Sequence, residues 1–141
     1  DRLCFIYADR PAECRALDCW NPETIEAMYN KDRVTREDIL GADSGAAELV
    51  RVHEEKCGYP MLERLAAAFD QDPAAREAFA EAVRFDMAFR VVVREKADIP
   101  ANEMDFYFGR PLSETVHIFG LRVVMTEHGP QVERESAPAA A

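Results

Sequence analysis

A chain of 141 residues, 48% of them hydrophobic, can bury a real core but is short for two ordinary domains. A single globular domain over residues 1–135 with a flexible tail over 136–141 is therefore the expectation. The formal charge of −10, from 27 acidic against 17 basic residues, argues against binding that neutralises nucleic-acid phosphates and against anionic membrane surfaces.

The opening "RLCFIYA" is an apolar run that favours a strand buried on both faces, and it stops at the turn-forming "DRPAE". Asn21-Pro22 supplies an N-cap followed by a proline at the first helical position, with Ile25, Met28 and Tyr29 at helical spacing behind it. Thr35 with Asp38 is a capping box for a short helical turn through Ile39 and Leu40.

Asp43 or Ser44 caps the next helix, in which Ala46, Leu49, Val50, His53 and Cys57 share one face and which Gly58 stops. Pro60 opens a further helix with Leu62, Leu65, Ala66 and Phe69 inward. Asp72-Pro73 then starts the longest one, about 73–95, whose apolar positions from Phe79 to Val92 mark it as the central helix of the core.

Beyond Ile99 the period changes. "MDFYF" alternates as a half-buried strand would, and "TVHIFGLRVVMTE" reads as a longer strand, bent at Gly120 and ended by His128-Gly129-Pro130. His117 would then lie on an apolar strand face as a packed core histidine, and His128 in an exposed turn. The fold class expected is α+β: a helical middle of about four helices on a small mixed or antiparallel sheet, formed by the N-terminal strand and the C-terminal strands.

Chemistry concentrates in "VHEEKCGYP", where His53, Glu54 and Cys57 give H-E-x-x-C, one letter from the zinc-protease helix motif. Positions i and i+4 share a helix face, so His53 and Cys57 can in principle hold one metal ion. Cys14 and Cys19 would complete a four-ligand structural zinc site, because thiolates donate enough charge to weaken the acidification of a bound water. The competing readings are ordinary buried thiols beside a packed histidine, and a Cys14–Cys19 disulfide.

Cysteine catalysis is disfavoured at Cys57, which sits at the negative end of a helix dipole, and no histidine is near Cys14 in sequence. No glycine-rich phosphate loop and no G-x-S-x-G elbow is present in the sequence.

By elimination, the sequence points to a small soluble acidic domain that binds a protein partner, one with basic character, rather than catalysing a reaction. It would do so without direct nucleic-acid or membrane contact, with no cofactor beyond the candidate zinc. No apolar run approaches the roughly 18 residues of a membrane span, no leader pattern opens the sequence, and the cysteines suit a reduced, cytoplasmic setting. The alternatives are an acidic inhibitor that mimics nucleic acid and a zinc hydrolase using His53, Glu54 and Cys57.

Overall fold

The computed structural model describes residues 6–18, 20–29, 31, 33–97, 99–127 and 129–135. The contacts of the chain group it into two units, Asp1–Ile39 and Leu40–Ala141.

The first unit holds three short helices: α1 (Ala12–Ala16), α2 (Glu23–Met28) and α3 (Arg36–Leu40), the last reaching one residue past the boundary. Their starts follow from local hydrogen bonding. Asn21 Oδ1 accepts from the Glu23 amide at 3.0 Å, and Thr35 and Asp38 form the expected reciprocal box, with Thr35 N to Asp38 Oδ2 at 2.8 Å and Asp38 N to Thr35 Oγ1 at 3.2 Å. Those bonds hold Asp38 below its ordinary pKa, the Thr35 hydroxyl contributing most.

Among the described residues the expected N-terminal strand is not found. Residues 2–5 of it lie outside the described residues, while Ile6 to Asp9 make a turn closed by Asp9 N to Ile6 O at 3.0 Å. A β-rich run of residues makes a strand only when another strand pairs with it, and among the described residues none does.

In the second unit, α4 (Gly45–Cys57), α5 (Tyr59–Ala68) and α6 (Pro73–Lys96) form the body, with α4 and α5 both packed on α6. The caps are the ones the sequence announces: Ser44 Oγ accepts from Ala47 N at 3.0 Å, and Asp72 Oδ1 from Ala74 N at 2.9 Å. Two short helices follow, α7 (Met104–Phe108) and α8 (Leu112–Thr115), then a 3-10 turn over Val116–Phe119. An antiparallel hairpin closes the unit, β1 (Leu121–Thr126) pairing with β2 (Gly129–Arg134) in a register that runs from Leu121 opposite Arg134 to Thr126 opposite Gly129.

The molecule is thus α+β, with its longest helix where the sequence places it, but with several short helices beyond the four expected and with a sheet of two strands among the described residues. "MDFYF" is helical because Met104 and Phe108, one turn apart, are both buried against Val50 and Val93 while Phe106 is 43% exposed. Five residues are too few for a two-residue period to be distinguished from a helical one. "TVHIF" is likewise helical. His117 is exposed, its Nδ1–H donating to the Glu114 carbonyl at 2.7 Å, rather than standing on a strand face. Gly120 adopts φ +66° and links the 3-10 turn to β1 instead of bending a strand, and His128 lies outside the described residues.

Two apolar clusters share α6. The larger gathers residues including Leu62, Phe69, Phe79, Val83, Leu112 and Leu121, and the smaller Val50, Val93, Met104 and Phe108. Arg134 ties the hairpin to the end of α5, donating to Ala66 O at 3.2 Å, to Phe119 O at 3.0 Å and to Asp70 at 2.9 Å. It adds a second donor to the Ala66 carbonyl in the last turn of α5, which also accepts from the Phe69 amide at 3.3 Å.

Gly58 separates α4 from α5 for a reason other than the left-handed cap that the sequence suggests. Its φ of −63° is open to any residue, but a Cβ there would lie 2.6 Å from the Glu54 carbonyl oxygen. Gly58→Ala is therefore expected to destabilise the chain by about 1 to 3 kcal/mol in urea unfolding. Gly45→Ala, at a helical position with nothing within 4 Å of the added carbon, should be neutral or slightly stabilising. Equal midpoints for the two variants would contradict this account.

Candidate functional site

The stripe that α6 turns toward the core contains one acid. Phe79, Ala82, Val83 and Val93 are buried on it, and so is Asp86, which is completely inaccessible to solvent. A buried carboxylate is tolerated only when its oxygens are bonded, and here both are. Oδ1 accepts from His53 Nε2 at 2.7 Å and from Arg90 Nε at 2.8 Å; Oδ2 accepts from the Leu112 amide at 2.9 Å.

Each donor comes from a different place in the chain. His53 projects from α4 and is 4% exposed, its ring tilted against Phe89 and Phe108 at centroid distances of 5.6 and 5.1 Å. A carboxylate can only accept, so the imidazole proton facing it sits on Nε2. Arg90 stands one turn along α6, and its Nη2 donates onward to the carbonyls of Phe108 at 3.1 Å and Gly109 at 2.8 Å. Gly109 holds φ at +69°, a conformation that side chains disfavour. Leu112 is the first residue of α8, whose free amide would otherwise be orphaned.

Burial on its own would raise the Asp86 pKa. The His53 hydrogen bond, the Leu112 amide and the charge and hydrogen bond of Arg90 together outweigh it, so the carboxyl stays below its ordinary value and remains ionised. Cys57, one turn beyond His53, is buried at 4% exposure, with its thiol 3.6 Å from the Ala82 carbonyl. Desolvation, with the Asp86 charge added and Arg90 partly opposing, pushes that thiol up to about 12.

Among the described residues, His53, Cys57 and Asp86 offer donor atoms within 4.8 Å of one another, a set able to hold a metal ion. Their chemistry fits an ion-pair lock better than a divalent cation. The Asp86 oxygen nearest His53 already carries a guanidinium, and His53 presents a proton rather than a lone pair to it. Of the sequence-derived ligand set, His53 and Cys57 meet in the second unit. Cys14 is an exposed free cysteine of the first unit, and Cys19 lies outside the described residues.

Glu54, at the position of the general base in the protease motif, is exposed while both flanking motif residues are buried. Sequence reasoning missed Asp86 and Arg90. Their signal was present in "VRFDMAFR", where an acid interrupts an apolar stripe with an arginine one turn later.

Compared with protein-family models, curated proteins and solved structures, the chain matches none.

Breaking a buried charged network from one side leaves the remaining charge unpaired. Asp86→Asn is expected to lower stability by about 3 to 5 kcal/mol at neutral pH. The Asp86 pKa is lower in the folded than in the unfolded chain, so its contribution is full above the ordinary value of 3.8 and fades as pH falls through the depressed folded value. The gap between wild type and variant in urea should thus be constant at neutral pH and narrow only below about pH 4. A gap independent of pH down to acid unfolding would remove the ion pair from the account. In native protein at pH 8, the peptide carrying Cys57 should resist alkylation until urea is added; labelling at the rate of a small thiol would contradict its burial.

Proposed function

We propose that the chain acts by binding a protein partner rather than by catalysis, and that residues 6–39 carry the contact. The observation behind this reading is exposure: among the described residues of 6–39 none is buried, and Trp20 is 84% exposed, Val34 74%, Tyr29 63% and Tyr7 61%. Helices of five or six residues have no stability of their own, so a segment built from them gains order by covering such side chains.

Aromatic and arginine side chains are the usual anchors of protein interfaces. Here Arg10 lies 4.3 Å from the Tyr7 ring centroid and Arg33 4.5 Å from that of Tyr29, each pair offering a flat, exposed surface. The net charge of −10 favours a basic partner, through faster encounter more than through affinity. A reduced, cytoplasmic setting suits the free thiols of Cys14 and Cys57.

The His53, Asp86 and Arg90 network supports this reading indirectly. It is fully bonded within the core, and among the described residues no buried side-chain polar atom lacks a partner. A group poised for substrate would more often be left partly unsatisfied or open to a cleft. A second reading, a structural zinc, draws on the donor set of His53, Cys57 and Asp86. Stoichiometric zinc in the purified chain, lost in Cys57→Ala, would replace the lock with a metal centre and reopen the hydrolase alternative at Glu54. The nucleic-acid mimic rests on net charge alone.

The decisive experiment captures partners on the wild-type chain and on Trp20→Ala/Tyr29→Ala in parallel. One protein should be held by the wild type and lost from the variant. Once purified, that protein should shift Trp20 emission to the blue and bind the variant at least about tenfold more weakly. Baits that retain the same proteins, with circular dichroism unchanged, would sink the assignment to residues 6–39.

A further inference from the structure

Residues 100–110 are fastened to the second unit by side chains alone. Proline stands at both boundaries, Pro100 and Pro111, and a proline keeps the residue before it out of helical geometry, so α7 continues neither α6 nor α8. Among the described residues, every backbone–backbone hydrogen bond of 100–110 closes within the segment, including Glu103 N to Pro100 O at 2.9 Å, Phe106 N to Glu103 O at 2.9 Å and Gly109 N to Asp105 O at 3.0 Å. A helix of five residues with no side-chain cap has no stability of its own.

Two attachments hold the segment down. The first is apolar: Met104 and Phe108 are half of the four buried residues of the smaller cluster, Val50 and Val93 being the others. Leu112, just past Pro111, belongs to the larger cluster, so the division between the clusters falls where the segment ends. The second attachment is Arg90. Its Nη2 donates to the Phe108 and Gly109 carbonyls, its Nη1 lies 3.9 Å from Asp105 Oδ1, and its guanidinium stands 5.9 Å from the Phe108 ring centroid. Nε meanwhile keeps the same group on Asp86, and the side chain is only 12% exposed.

We infer that residues 100–110 form a strap that opens as one unit while the larger cluster stays folded, and that Arg90 is its latch. Opening removes two members of the smaller cluster and none of the larger. It uncovers Val50, Val93 and the rings of His53 and Phe89, on which Phe108 packs. Asp86 keeps His53 and the Leu112 amide throughout, because neither partner belongs to the strap. One carboxylate therefore serves two separable devices, the register of α4 on α6 and the closure of the strap.

Native-state hydrogen exchange of the whole chain in low urea tests this. In the wild type the amides of Phe106, Tyr107 and Gly109 should share one opening equilibrium, less protected than the amides of α5 and the hairpin and nearly independent of urea. Arg90→Lys keeps a positive charge beside Asp86 but loses the planar fork that reaches both carbonyls. It should speed exchange of the strap amides at least about tenfold and leave α5 and the hairpin unchanged. Met104→Ala removes a strap anchor and no charge, should produce the same selective acceleration, and decides the matter if Arg90→Lys does not fold. Strap amides that exchange only with global unfolding overturn the proposal. So does a variant that speeds exchange equally throughout the second unit, or not at all in the strap.

Discussion

One carboxylate organises the second unit. Asp86 has no access to water, and both of its oxygens must be bonded for α6 to pack at all. Meeting that requirement draws in His53 from α4, the amide that starts α8 and, through Arg90, the carbonyls that end α7. The network also falls between the two apolar clusters: along α4 it separates Val50 from Cys57, and along α6 Val83 from Val93. Apolar contacts alone would allow α4 to slide along α6 at little cost. A directional bond from His53 to Asp86 fixes the register, which is the best-attested use of a buried polar pair.

What the sequence made legible was local. Ser44, Asp72 and the Thr35–Asp38 box announce their helices because each capping bond joins residues two or three apart, a distance within reach of sequence inspection. The C-terminal third was misread where the deciding contacts are remote: Met104 and Phe108 become helical by packing on Val50 and Val93, and no periodicity inside "MDFYF" contains that information. His53 and Cys57 were identified from their spacing. Their actual neighbour is 33 residues from His53, and only the polar interruption of the α6 stripe hinted at it.

The two units differ in how their apolar residues are used. In the second, most of the large ones converge on α6, and aromatic edges such as Phe79 against Phe119 at 5.7 Å lock α6 to the 3-10 turn that leads into the hairpin. In the first, the side chains of Tyr7, Trp20, Tyr29 and Val34 face outward from the turns and connections between helices too short to stand alone.

The closed arithmetic of the His53, Asp86 and Arg90 network also bears on how such a chain can drift. Each member satisfies a group that becomes a liability once the member is gone, so no single replacement offers a neutral first step. A joint exchange of all three for apolar residues of matching volume would lose nothing in stability and could gain some. Across lineages, positions 53, 86 and 90 should therefore be inherited as one character, present together or replaced together, even where the surface around them has diverged beyond recognition.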